Sequence, residues 1–126
     1  MLDYARERAR EVLKIPRTAV LATEGPAGLQ LSELPCEAEG LEIYLLLPQT
    51  SDHVFNLEHN PAVTLLANAW EMQGQARIVV EEELDLGLLR RPEARWSALV
   101  QITPARIQIL GDRGWGNPET IDLWCQ

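Results

Sequence analysis

Apolar residues follow three different patterns along this chain. Leu2, Ala5, Ala9, Val12 and Leu13 recur at helical spacing, with Arg6, Glu7, Arg8, Arg10 and Glu11 between them. That predicts an amphipathic helix over residues 1–15, laid on a larger body. Its basic residues read as a solvated face with local ion pairs, ligand contact being the alternative. Residues 18–23 (TAVLAT) read as a strand, and residues 29–34 (LQLSEL) alternate. Leu29, Leu31 and Glu33 share one face, and Gln30, Ser32 and Leu34 the other. Glu24-Gly25-Pro26-Ala27-Gly28 between them is turn chemistry, so the two segments form an antiparallel hairpin. A second turn is expected over residues 37–40.

Residues 41–69 then read strand, helix, strand, and the rest of the chain is organised around them. Residues 41–47 are a continuous apolar run ended by Pro48, and Thr50 and Ser51 offer a hydroxyl cap to a helix running to about His59. Asn60-Pro61 stops that helix, because proline disfavours the α conformation in the residue before it. Residues 62–67 start a second buried strand. After a connection, residues 72–80 (MQGQARIVV) alternate: Met72, Gly74, Ala76, Ile78 and Val80 on one face, Gln73, Gln75, Arg77 and Val79 on the other. Gly74 and Ala76 leave room for a close neighbour, either another backbone at a barrel bend or a flat ligand. Glu81-Glu82-Glu83 reads as a solvated charge run, residues 84–89 as a short helix, and residues 90–95 as a loop around Pro92. Residues 96–103 and 106–110 read as strands, Pro104 marking an edge or bulge. Residues 111–126 form a tail with Gly, Asn and Pro in loop positions. Its Trp115, Ile121, Leu123 and Trp124 should dock on the body or on another subunit. Short strands at close spacing with turn chemistry predict a mainly antiparallel β-barrel with helical additions, one domain over residues 1–126.

Charge narrows the partners. The chain carries 11 basic and 19 acidic residues, a net charge of −8. Nucleic acid needs clustered Lys and Arg, and an anionic membrane repels such a surface, so neither is an expected partner. The N-terminus MLDYARERAR has no apolar core of a signal peptide, and no run reaches the ~20 apolar residues of a membrane helix. Cys36 and Cys125 make neither a zinc motif nor a redox pair and read as two reduced thiols. The expected location is cytoplasmic.

Catalytic constellations are nearly absent. There is no HExxH, CxxC, GxSxG or phosphate-binding glycine loop. His53 and His59 are six residues apart, on opposite sides of the expected helix, and cannot chelate one metal together. An anion site without chemistry of its own is the remaining candidate. Thr50 and Ser51 lie beside the free N–H groups of a helix start, His53 sits one turn in, and Gln30 and Ser32 could reach the same point from the neighbouring strand. Gln73 and Gln75 could hydrogen-bond the edge of a polar heterocycle. The alternative is an ordinary N-cap and surface glutamines.

LATEGPAGLQLSELP, GLEIYLLLPQTSDHVFNLEHNPAVTLL and MQGQARIVV together resemble the pyridoxamine 5'-phosphate oxidase-like, flavin-binding split-barrel family. The likeness lies in Thr23, Gly28, Gln30 to Leu34, Ser51, Asn56-Leu57 and Asn60-Pro61, in that order. The resemblance implies a six-stranded antiparallel split β-barrel, a homodimer, and FMN bound in clefts between subunits. It implies an FMN-dependent oxidoreductase whose small-molecule substrate is unknown. Gln30, Ser32, Thr50, Ser51 and His53 would hold the phosphate and ribityl end, and Gln75 would meet the flavin ring. The family usually places an Arg or Lys on the second strand and a Lys two residues after the helix-start Ser. This chain has Gln30 or Ser32 and His53 there, with Asp52 beside them. The alternative is therefore a non-catalytic split-barrel dimer that has lost flavin or binds another small ligand. Haem is weaker still, although a His at this place also resembles the haem-degrading branch of the fold.

Overall fold

The computed structural model describes residues 2–14, 16–80, 84–111 and 114–122. Seven strands, β1 (Thr18–Thr23), β2 (Gln30–Glu39), β3 (Glu42–Pro48), β4 (Ala62–Leu66), β5 (Trp70–Ile78), β6 (Ser97–Gly111) and β7 (Gly114–Asp122), are joined by two α-helices, α1 (Leu2–Leu13) and α2 (Asp52–His59). The strand order is β3-β2-β1-β4-β5-β6-β7, and β3 also pairs with β6. That pairing closes the first six strands into an antiparallel barrel, which removes their exposed edges. The expected six-stranded antiparallel barrel is therefore the observed fold.

Alternation, shifted by one residue at Ala105 in β6, puts Leu21, Leu65, Met72, Val100, Ile102 and Ile107 inside, all essentially inaccessible to solvent. Helix α1 lays Ala9 and Leu13 on this core, and on its outer side Arg10 pairs with Glu7 at 3.0 Å. Strand β3 is buried on both faces, which explains its unbroken apolar run. Ile43, Leu45 and Leu47 belong to the barrel core, while Tyr44 and Leu46 pack outside it against Leu86 and Leu88. Glu37 clamps that outer layer by accepting hydrogen bonds from the amides of Gly87 (3.1 Å) and Leu88 (3.2 Å).

Four expectations need correction. The turn expected over residues 37–40 is narrower: β2 runs on to Glu39, which pairs with Glu42, and Gly40 turns the chain at φ 64°, a backbone angle that costs a residue without Cβ nothing. The expected helix over residues 84–89 is a 3-10 turn at Gly87–Arg90, and a second at Pro92–Trp96 replaces the loop. Gly87 and Pro92 limit both to single turns. The two segments around Pro104 are one strand, the proline sitting at a bulge. Gln73 pairs with Arg106 and Gly74 with Pro104, so Ala105 has no partner across the ladder. Within the tail, Gly114–Asp122 form a strand, β7, added to the free side of β6. Its glycines and proline are tolerated because it lies at the edge of the sheet. The expected docking of Trp115, Ile121, Leu123 and Trp124, the Glu81–Glu83 run and Cys125 lie outside the described side chains. No helix among the described residues is long and apolar enough to cross a membrane.

Candidate functional site

Helix α2 is tied to β1, β2 and the turn between them by a chain of hydrogen bonds whose direction can be read from its ends. Asn56 is fully buried. Its Oδ1 accepts from the amide of Ala27 (2.9 Å), and its Nδ2 donates to the carbonyl of Gly28 (2.8 Å). Those two backbone groups fix which way the side-chain amide faces. Nδ2 therefore also donates to Oγ1 of Thr23 (3.1 Å). Oγ1 of Thr23, itself buried, lies 2.8 Å from Nδ1 of His53. Its own hydrogen goes there, since the reverse direction would leave that hydrogen with no acceptor among the described partners. His53 then carries its proton on Nε2 and donates to Oγ of Ser32 at 3.0 Å. Ser32 accepts, and its own hydrogen is left to donate outward from a half-buried position.

This arrangement decides what His53 can do. Burial pushes its pKa below the ordinary 6.5, against a smaller opposing pull from Asp52. A neutral imidazole with its proton on Nε2 cannot take a proton from Ser32, so the pair is not a nucleophile and base. Nor is either ring nitrogen open to a haem iron. The sign of the pKa shift sets a pH dependence. The unfolded chain takes up the proton more readily than the fold does, so the stability linked to His53 is complete above 6.5 and is lost as pH falls through the lower folded value. Chemical denaturation between pH 7 and 5 should show a slope of up to about 1.4 kcal/mol per pH unit from this group, and that part of the slope should be missing in His53→Gln.

The other end of α2 holds the same turn. Nδ2 of Asn60 donates to the carbonyl of Glu24 (3.0 Å), and its Oδ1 accepts from Ala62 (3.1 Å). Gly25 sits so close to Asn56 that a Cβ there would stand 2.9 Å from Oδ1 and 3.1 Å from Cα. Gly28 turns the chain at φ 84°. The Gly-Pro-Ala-Gly turn is thus a fixed wall.

Beyond that wall lies a cleft of about 410 Å³ on the outer face of β1, β4 and β5. This is within the roughly 300–1,000 Å³ of small-molecule pockets. Register places its floor: Leu31 pairs with Ala22, Ala22 with Thr64, Thr64 with Gln73, and Ala62 with Gln75. Small side chains (Ala22, Ala62, Thr64) make a shallow flat bottom. Leu29 stands on one side, and Gln73 and Gln75 on the other. The bulge at Gly74 and Ala105 lies along the same side.

The predicted residues divide between these two places. Ser32, Ser51 and His53 meet at the start of α2, where Oγ of Ser51 caps the helix by accepting from the amide of His53 (3.1 Å). Gln30 is beside them but turns its amide to the carbonyl of Ala27 (3.0 Å). Thr50 is exposed. Gln75 lies in the cleft. Sequence reasoning named Thr23, Asn56 and Asn60 only as parts of a pattern. Their structural role is to join the helix to the turn, and a buried Asn between two apolar helix positions was the signal for it. Gly74 answers its own question: a Cβ there would meet the carbonyl oxygen of Thr103 at 2.5 Å, so its close neighbour is backbone. Cys36 is buried, its thiol pushed up to about 11 by desolvation and by Glu37. Among the described residues no group of acidic, His or Cys side chains is placed to hold a metal.

Solved structures share this architecture. General stress protein 26 from Bacillus anthracis str. Sterne superposes with a TM-score of 0.74 at 22% identity, over 95% of this chain and 99% of that one. The fold is the split barrel of the pyridoxamine 5'-phosphate oxidase-like proteins. A Clostridium acetobutylicum protein related to general stress protein 26 of B. subtilis, of the pyridoxinephosphate oxidase family, gives 0.65 at 13% identity over 97% and 94% of the two chains. A haem-binding protein from Mycobacterium smegmatis gives 0.68 at 15% identity, this chain covering 93% of itself and 56% of that protein. No family model and no curated protein matches the sequence.

Proposed function

We propose that this split barrel binds a flavin in the cleft of β1, β4 and β5 and works as an oxidoreductase on a small molecule. The observation that supports it is the cleft itself: a flat floor of Ala22, Ala62 and Thr64 faced by the side-chain amides of Gln73 and Gln75. A planar ring can lie on such a floor, and an amide supplies both a donor and an acceptor to a heterocycle edge that carries both. FMN is the flavin that the resemblance suggests, and its ring end fits. When bound, the ring supplies the hydride chemistry, so the residues of the cleft need only seat and orient it. The residues here would seat and orient it: Gln73 and Gln75 at the ring edge, and Leu29 closing the side.

The test is an absorbance spectrum of the purified protein after incubation with excess FMN and riboflavin, each followed by desalting. Flavin bands retained in proportion to protein are expected. Ala22→Trp, which fills the floor from an outward position, should remove them with the secondary structure unchanged. A wild-type protein that keeps neither flavin defeats the reading.

The same face also supports a homodimer. Leu29 and Leu31 are 65% and 63% exposed and Leu66 38%, with half-buried Val20 and Ala22 between them. In a chain of net charge −8 this apolar strip is a place where two copies can meet with little repulsion. A second copy there would also roof the cleft. Leu31→Arg is expected to convert the dimer to a monomer in light scattering, with the secondary structure unchanged.

A further inference from the structure

The flavin reading leaves open which flavin, and the charges around the site bear on that. A phosphate dianion needs cationic donors or the free amides of a helix start, and charge-assisted hydrogen bonds of roughly 1.5–3 kcal/mol each hold it. None of the groups expected to serve brings a positive charge: Ser32, Thr50 and Ser51 offer at most neutral hydroxyl donors. Oγ of Ser51 accepts from the amide of His53 and so occupies one free N–H of the helix start, keeping only its own neutral hydroxyl hydrogen. Gln30 turns its amide to Ala27. His53 is buried, and its two ring nitrogens face Thr23 and Ser32. Asp52 adds a negative charge to the first turn of α2. Among the described residues lining the cleft none is basic, and Glu24 is the one that can carry charge.

Two guanidinium groups stand near the rim, and both sit among other partners. Nε of Arg77 donates to Oε1 of Gln101 at 2.6 Å. Arg106 lines a separate recess with Glu71, Gln73 and Gln108. What the cleft does present is neutral: the amides of Gln73, Gln75 and Asn60, and the hydroxyl of Thr64. These match carbonyls, ring N–H groups and sugar hydroxyls.

Resting on the flavin reading above, we infer that the site selects a neutral, non-phosphorylated flavin of the riboflavin class over FMN. The ring and ribityl chain find neutral partners, whereas the phosphate would meet Asp52 or Glu24 and hydroxyl donors with no cationic group among them. The long-range field of an acidic chain acts in the same direction.

The experiment is a pair of equilibrium titrations of the wild-type protein, riboflavin and FMN, followed by flavin fluorescence at pH 7.5 and low salt. Riboflavin should bind about tenfold or more tightly than FMN, and the gap should narrow as salt screens the phosphate's repulsion. FMN binding as tightly as riboflavin, or more tightly, overturns the inference and leaves the flavin reading standing. A gap that salt leaves unchanged overturns the electrostatic basis of the selection. Binding of neither flavin removes the parent reading itself, and the inference with it.

Discussion

Asn56→Ala should destabilise the fold by about 2–4 kcal/mol, read as a lower denaturation midpoint at unchanged denaturant dependence. The side chain is fully buried and serves three partners at once: the amide of Ala27, the carbonyl of Gly28 and the hydroxyl of Thr23. Truncation orphans each of them to a different degree. Gly28 is exposed, so water can reach its carbonyl; Thr23 is buried, so its oxygen loses its donor outright. The loss also frees the direction of the whole chain of hydrogen bonds. With no donor at Oγ1, Thr23 can accept from Nδ1 of His53, and the imidazole can change tautomer. Nitrogen chemical shifts of the His53 ring should report the Nε2–H form in the wild type and a mixture in the variant. Asn56→Asp is the sharper control. A carboxylate can accept from Ala27 but cannot donate to Gly28 or Thr23, so it should cost at least as much as alanine. If the cost of either substitution falls below about 1 kcal/mol, the typical worth of one hydrogen bond, the network does not fix the turn.

Much of the fold was legible because barrel strands alternate and the closing pattern follows from it. Leu21, Leu65, Met72 and Ile102 announce an inward face two residues at a time. Legibility failed where the determinants are not periodic. The outer layer over β3 depends on Glu37 reaching the amides of Gly87 and Leu88, some fifty residues away in sequence. No local pattern signals that contact, so a helix was expected where a clamp and a single turn stand. The Gly and Pro content of β7 is that of a loop, and only its edge position makes these residues compatible with a strand.

The site divides in the same way. Residue types were legible, but not their direction. His53, Ser32 and Ser51 meet at the start of α2. The sequence could not say that they hydrogen-bond one another, or in which sense. That distinction rests on Asn56, whose amide sets the sense of every bond up to Ser32, and on the burial that keeps His53 neutral. The Asn56-Leu57 and Asn60-Pro61 pair, noticed as a pattern, has a physical reason: two amides one helical turn apart grip the two ends of one turn, at Glu24 and at Ala27 to Gly28.

Gly74→Ala should cost about 3 kcal/mol or more, above the usual range for one added methyl group. The new Cβ would stand 2.5 Å from the carbonyl oxygen of Thr103 and 3.2 Å from Cα of Pro104. Both are backbone atoms, so no side chain can swing away to make room. They belong to β6 where it bulges past β5, with Ala105 left unpaired, and β5 and β6 are adjacent staves of the closed barrel. Relief therefore requires β5 and β6 to separate locally, at the point where the bulge forms one side of the cleft. The substitution is expected to lower stability and flavin retention together, unlike Ala22→Trp, which should lower retention without parting two strands of the barrel. Ala76→Gly, two residues along the same inward face, is the matched control. It removes a methyl rather than adding one and should cost roughly 1 kcal/mol from backbone freedom and lost packing. Equal costs for the two substitutions would mean that the barrel yields freely at the bulge, and that the cleft wall there is not set by the closeness of the two backbones.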